Sequence, residues 1–158
     1  MKLRDFDRWS RWRLNRHGLS DFDVWLFPST DMLGFFQPGA RAIAISLPHV
    51  LLSSWTAVME TVDHEISHAL TEGKEKEVHG GKWASMARTI GGYYQDEKYR
   101  PSAEFWEFDK RYESPANNLQ RSMDELMTKA LAIDMLEETK QRGSAHYVGR
   151  LRLDFINL

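Results

Sequence analysis

The sequence predicts an α+β fold in which a small three-stranded sheet, antiparallel or mixed, packs on one long helix, with a second long helix near the C-terminus. Three short segments rich in β-branched and aromatic residues predict the sheet. Two later stretches repeat apolar residues at helical spacing, and each begins at a serine that can cap a helix. At 158 residues the chain can bury a core and fits one domain.

Within that domain we expect a core over residues 1–100 and a helical extension over residues 101–158 that packs on it. The chain has no cysteine, which excludes disulfides, a cysteine nucleophile and a cysteine zinc ribbon. A metal site would therefore have to use carboxylates and the six histidines.

Composition also bounds location and partners. The N-terminus, Met1-Lys2-Leu3-Arg4-Asp5-Phe6, has no apolar signal-peptide core, and no stretch approaches the roughly 20 apolar residues of a membrane span. We therefore expect a cytoplasmic protein that does not enter a membrane. The formal net charge of −2 gives no global attraction to nucleic acid, so only a local basic surface could bind it.

The first element is a helix over residues 2–17, which Gly18 should end. Arg4, Arg8 and Arg11 share one face of this helix by their spacing. They could bind a nucleic-acid backbone. An ordinary solvated helix face is the alternative, and the one that we favour.

Three strand segments follow, at residues 22–27, 32–37 and 42–47, separated by turns that contain Pro, Gly, Ser and Asp. Short connections between successive strands favour a meander. Pro48 then begins a short helical turn.

The next helix begins at Ser53 or Ser54 and ends just before Gly73. Its apolar residues fall in one arc of about 120° at about 100° per residue. The histidines His64 and His68 lie outside that arc, where core histidines would not be expected. The apolar residues are Trp55, Val58, Met59, Val62, Ile66, Ala69 and Leu70.

This helix carries the pattern His-Glu-x-x-His at His64, Glu65 and His68. Histidines four residues apart leave the same face of a helix, so their imidazoles can bind one zinc ion. Glu65 points about 100° round the helix, where its carboxylate can reach a water molecule at the metal without being a ligand. The preceding Asp63, or another carboxylate, could orient a ligand imidazole.

A catalytic zinc ion usually has three protein ligands, so a third is needed. Glu72 shares the face of His64 but lies about 12 Å along the axis, too far for one ion. The metzincin pattern is excluded because Thr71 and Lys74 replace its glycine and histidine. His79 remains, and the two glycines after it permit close approach of the backbone.

The other histidines, His17, His49 and His146, have no such neighbours in sequence, and we interpret them as surface or capping residues. Tyr93, Tyr94 or an arginine could stabilise an oxyanion, and the sequence does not choose among them.

Further helices follow the site. A short helix over residues 82–90 should end at the two glycines that follow it, and an aromatic segment over 101–112 should form another. Ser114-Pro115 begins the long helix, which runs to about residue 142. Residues 150–153 alternate basic and apolar side chains, as in a strand or a loose arm.

Several short sequence blocks lie in a characteristic order and spacing across roughly residues 15–92. Together they resemble the SprT-like zinc metallopeptidases, which include the Spartan DNA–protein crosslink proteases. The resemblance implies a compact α+β zincin core with zinc on His64, His68 and His79, and Glu65 as the catalytic acid/base. The zinc ribbon of many relatives is missing from this chain. The blocks are His17-Gly18-Leu19 with Phe22 and Val24, Gly34, Ile43-Ala44-Ile45-Ser46, the ten residues from Thr61 to Leu70, His79-Gly80-Gly81-Lys82-Trp83, and Ile90-Gly91-Gly92.

The resulting hypothesis is a zinc-dependent hydrolase that cuts peptide bonds of protein substrates, with a possible association with DNA. The alternative is a zinc-stabilised module that binds DNA or protein with little or no proteolysis. The presence of Glu65 favours the protease, because a purely structural zinc site has no use for a base.

Overall fold

The computed structural model describes residues 2–74, 77–93, 100–112, 125 and 152–153. These residues form a mixed α+β fold, as expected. The elements in chain order are α1 (Leu3–Arg16), β1 (Asp23–Phe27), β2 (Gly34–Gln37), a 3₁₀ turn (Pro38–Ala40), β3 (Ala42–Ser46), α2 (Leu47–Leu52), α3 (Trp55–Thr71), α4 (Gly81–Ile90), α5 (Ala103–Tyr112) and β4 (Arg152–Leu153).

The sheet is mixed, with strand order β2-β3-β1-β4. Strand β3 runs parallel to β1, with Ile43 opposite Val24, and antiparallel to β2, with Ile43 opposite Phe36. The expected meander is therefore wrong, because β3 rather than β2 lies beside β1. All five residues of β3 are buried, and such a strand belongs in the interior of a sheet. Strand β4 adds two residues parallel to β1.

Helix α1 ends as its sequence predicts. His17 occupies the C-cap position and Gly18 adopts a left-handed φ of 75°. The backbone N–H of Leu19 then donates to the Leu14 carbonyl at 3.0 Å. Such a reversal satisfies a terminal carbonyl that the helix leaves unpaired, and it directs the chain into β1.

Helix α3 lies between the sheet and helix α4, with which it makes its most extensive contacts. Ser54 is the capping serine, and its Oγ accepts from the Ala57 N–H at 3.2 Å. Gly73, at a φ of 68°, follows the helix. Val58, Val62 and Ile66 are fully buried in the main apolar core, which fixes the rotation of α3 about its axis.

His49 is fully buried in α2, so the interpretation as a surface or capping residue is wrong for it. Its Nδ1 lies 2.8 Å from Ser53 Oγ and its Nε2 2.9 Å from Thr61 Oγ1. The ring of Phe105 covers it at 5.9 Å between centroids. Burial lowers the pKa of His49 to about 4. The reason is tertiary: helix α5 covers this end of α2.

Helix α5 begins after Ser102, whose Oγ accepts from the Phe105 N–H at 3.3 Å and donates to the Leu52 carbonyl. The start of the predicted extension thus packs on the core. The predicted long helix over residues 114–142 and His146 lie outside the described residues, apart from the helical Glu125. Among the described helices, none combines the length and the apolar character that crossing a bilayer requires.

Candidate metal centre

Three imidazoles converge at the exposed side of α3. His64 and His68 project from adjacent turns of this helix, and His79 approaches them from the turn that precedes α4. Nε2 of His79 lies 3.1 Å from Nε2 of His68 and 3.2 Å from Nε2 of His64. One ring nitrogen from each of the three residues lies within 4.8 Å of the others, so the group could hold a metal ion.

The connection between α3 and α4 brings His79 to this position. Gly73 ends α3, and the Gly80 N–H donates to the Glu77 carbonyl at 3.2 Å in the turn that holds His79. Helix α4 then begins at Gly81. His79 therefore lies just before α4, in contact with both imidazoles of α3.

Trp83, on the first turn of α4, contacts all three imidazoles. Its ring centroid lies 4.7 Å from that of His64, 5.3 Å from that of His68 and 4.4 Å from that of His79. The indole is buried and forms a wall behind the cluster. The resemblance and the helical spacing of residues 82–90 both involve Trp83, but neither predicts its contact with the histidines. Its position four residues after His79, at the start of a helix, was the available signal.

Burial keeps the two helix-borne imidazoles neutral. It lowers the pKa of His68 to about 4, with a smaller contribution from the nearby His79. Burial also lowers the pKa of His64 to about 3, reinforced by His68 and His79 and opposed by a backbone hydrogen bond with Gly92. A histidine must be neutral to bind a metal ion, so this environment suits metal binding. Three imidazole nitrogens with open space on one side are a donor set typical of catalytic zinc.

Glu65 lies about one third of a turn from the two helix-borne histidines and faces strand β2. The residue is 4% exposed, and burial raises the pKa of its carboxyl group to about 8. Strand β2 comes so close that a Cβ on Gly34 would lie 3.0 Å from Glu65 Oε1 and 3.0 Å from Thr61 Cγ2. Glycine at position 34 therefore leaves room for the carboxyl group.

Asp63 binds Arg13, and not a ligand imidazole as its position in the sequence suggested. Its Oδ1 accepts from Arg13 Nε at 2.6 Å and its Oδ2 from Arg13 Nη2 at 3.0 Å. The same Nη2 donates to the Ile90 carbonyl at the end of α4. Burial raises the pKa of Asp63, and the hydrogen bonds and positive charge of Arg13 oppose that shift. No local pattern indicates this pair, because 50 residues separate its members.

The three arginines considered for nucleic-acid binding lie on α1, away from the histidine cluster in sequence. Arg8 is exposed, whereas Arg4 and Arg11 are half-buried. Arg11 Nε donates to Asp7 Oδ1 at 2.7 Å within the helix. The exposed Arg16 lies over the ring of the half-exposed Trp12, 5.5 Å from its centroid.

An open recess of about 180 Å³ adjoins His68. It gives the exposed side of the cluster a bounded approach between strand β2 and the end of α3. Glu72 lies in this recess and not in the histidine group, in agreement with its exclusion as a ligand. The other lining residues are Phe36, Thr71, Gly73, Glu77 and Val78.

Comparison with known proteins identifies a family. The model of the SprT-like family matches residues 8–103, which is more than half of the chain and includes the latter part of α1, strands β1–β3 and all three clustered histidines. No curated protein and no solved structure matches the chain.

Proposed function

The chain belongs to the SprT-like family, and from this premise we propose that it is a zinc-dependent metallopeptidase that hydrolyses peptide bonds of protein substrates. The observation that carries the proposal is the convergence of His64, His68 and His79 on a helix that also holds the buried carboxyl group of Glu65. Three imidazole nitrogen donors and a nearby carboxyl group with a raised pKa are the groups that zinc-assisted hydrolysis requires.

In this proposal the three imidazoles would hold one zinc ion. Bound zinc supplies a Lewis acid, which acidifies water and polarises a carbonyl group. The pKa values of His64 and His68, about 3 and about 4, mean that neither imidazole has to lose a proton at neutral pH before it binds the ion. Trp83 excludes water from behind the rings and restricts their rotation.

Glu65 is the proposed catalytic acid/base. It takes a proton from the attacking water and delivers it to the leaving amine. Its pKa of about 8 in the metal-free protein lies near neutral pH, where one carboxyl group can both accept and return a proton. Tyr93, whose ring lies 5.9 Å from that of Trp83, is a candidate oxyanion donor. The second candidate, Tyr94, lies outside the described residues.

We assign the chemistry to a zincin-like core within residues 1–100 and regard residues 101–158 as an extension that packs on it. The buried contact of Phe105 with His49 supports this division at the start of the extension. A substrate chain would approach through the recess beside His68.

A second candidate function is a zinc-stabilised module that binds DNA or protein. One observation favours DNA: the exposed residues Arg8, Trp12 and Arg16 recur every four positions, and so lie along one side of α1. Positive charge interleaved with an aromatic ring suits a single-stranded nucleic acid. Proteolysis and this contact are compatible, because a DNA-bound protein could be the substrate.

Two paired measurements test the proposal. Zinc content is measured in the wild type and in His79→Ala, and cleavage of a denatured or DNA-bound protein is measured for the wild type and Glu65→Gln. We expect about one zinc ion per wild-type chain, loss of zinc on removal of His79, and intact zinc binding without cleavage for Glu65→Gln. Full zinc binding by His79→Ala would refute the role of His79 as a ligand. Full cleavage by Glu65→Gln would refute the role of Glu65 as the catalytic acid/base.

The DNA contact has its own test. A mobility-shift titration with single-stranded DNA over a range of salt concentrations compares the wild type with Arg8→Gln. If α1 contacts phosphates, the variant binds more weakly and its affinity depends less steeply on salt. Equal affinities and equal salt slopes would remove α1 from the interface and leave the metallopeptidase proposal unaffected.

A further inference from the structure

The third histidine of the cluster depends on how α4 docks against α3. His64 and His68 share α3, so the helix itself sets the distance between them. His79 precedes α4, and Trp83 on the first turn of α4 contacts all three imidazoles. Whatever holds α4 against α3 therefore also places His79.

The far end of α4 meets α3 backbone to backbone. A Cβ on Gly92 would lie 2.3 Å from the backbone nitrogen of His64 and 2.6 Å from the carbonyl oxygen of Asp63, so no side chain fits there. Gly91 turns the chain into this contact with a left-handed φ of 110°. The chain after α4 thus touches the residues of α3 from which the first imidazole projects.

Arg13 bridges the same contact from α1. Its guanidinium donates to both carboxylate oxygens of Asp63, at 2.6 and 3.0 Å, and to the Ile90 carbonyl. The Ile90 carbonyl is among the last carbonyls of α4, which have no partner within the helix and attract a cation. The Arg13 and Asp63 side chains are only 16% and 8% exposed, so water and salt screen the pair little. The planar guanidinium group of Arg13 thereby joins α1, α3 and α4.

We propose that Arg13 is a positioning residue for the metal centre: by bridging Asp63 and the Ile90 carbonyl it holds α4 on α3 and so fixes His79 relative to His64 and His68. The proposal rests on the metal-binding role given above. A partly buried ion pair adds little net stability, because desolvation offsets its attraction, but it restricts how neighbouring elements dock. Arg13 acts through the backbone and an outer carboxylate, since its guanidinium bonds Asp63 and Ile90 rather than an imidazole.

The test compares Arg13→Gln and Arg13→Lys with Arg11→Gln. The control removes the same charge from the same helix and breaks the pair with Asp7. Zinc and cobalt affinities are measured by competition with a chromophoric chelator, and amide hydrogen exchange across residues 77–93 is measured in the metal-free proteins. We expect Arg13→Gln to weaken metal binding by about 10- to 100-fold, as loss of outer contacts does. We also expect its exchange in α4 to rise at least about fivefold.

The Arg13→Lys variant should fall between the two, since lysine keeps the charge but lacks the fork, and the control should stay within about twofold of the wild type. Unchanged exchange in α4, or unchanged metal affinity, in Arg13→Gln would overturn the proposal. If Arg13→Gln fails to fold, Arg13→Lys decides by the same two readouts. If the wild type binds no metal, the proposed function itself is refuted. If the wild type and the Arg13 variants bind metal equally well, only the role of Arg13 is refuted.

Discussion

Replacement of Glu65 by glutamine is expected to stabilise the metal-free protein at neutral pH while it abolishes cleavage. The carboxyl group has a pKa of 4.5 in the unfolded chain and about 8 in the folded protein, because burial disfavours its charged form. Between these two values the folded protein holds a proton that the unfolded chain has lost. Wild-type stability therefore falls as pH rises through this window.

The size of the effect follows from the shift. At 1.36 kcal/mol per pKa unit, the 2.5 units between pH 4.5 and pH 7 correspond to about 3 kcal/mol of destabilisation in the wild type. Glutamine has nearly the same shape and does not ionise, so the Glu65→Gln variant is free of this cost. A constant packing difference between the two side chains does not depend on pH, and the pH dependence of the difference isolates the ionisation.

The assay is urea unfolding of chelator-treated wild type and Glu65→Gln at pH 5 and pH 8. We expect the free energy of unfolding of the variant, relative to the wild type, to rise by roughly 3 to 4 kcal/mol between these pH values. Glu72→Gln, which removes an exposed carboxylate at the end of the same helix, is the matched control and should show no such rise. A pH-independent difference for Glu65→Gln would show that burial does not oppose ionisation of this carboxyl group.

Three further predictions follow from the same geometry. His79→Ala should weaken zinc binding by more than about 100-fold, since loss of a ligand exceeds loss of an outer contact; isothermal titration measures this against His17→Ala, which removes a histidine outside the cluster, and equal affinities would contradict the site. The pKa of His49 falls from 6.5 in the unfolded chain to about 4 in the folded protein, so its contribution to stability is lost as pH falls through that window, by up to about 3 kcal/mol. In urea unfolding, the His49→Gln variant should not show this loss of stability as pH falls. Identical losses of stability at low pH in the wild type and the variant would refute the lowered pKa of His49. Gly92→Ala should lower the free energy of unfolding by about 3 kcal/mol or more, because the added Cβ would lie 2.3 Å from a backbone atom of α3. Gly39→Ala is the control and should change it little, because nothing lies within 4 Å of its Cβ. If thermal unfolding shows the same loss of stability for both variants, the close approach of Gly92 to α3 is ruled out.

Local patterns in the sequence were sufficient for the parts of the fold that local physics controls. The spacing of His64 and His68 places both on one helix face because the α-helix has a fixed period. Ser54 and Gly73 bound α3 as capping chemistry requires. The predicted end of α1 is confirmed in the same way, because Gly18 adopts the left-handed conformation.

Contacts between distant segments were not accessible in this way. The expected meander was wrong because strand order depends on which strand is buried on both faces, and β3 takes the interior position beside β1. The expected surface position of His49 was wrong because burial of a residue depends on what covers it, here the Phe105 ring of α5. Neither relation leaves a periodic trace in the chain.

The candidate metal centre likewise has a part that local sequence determines and a part that depends on tertiary contacts. By itself the sequence determined two imidazoles and a carboxyl group on one helix, because their relative positions depend only on the helical period. It also named His79, by elimination of other ligands and by family resemblance, but could not place it. Tertiary structure alone decided that placement, since His79 reaches the pair through the docking of α4 on α3. The Gly91-Gly92 contact and the Arg13 bridge hold that docking, and both join segments that are far apart in the chain.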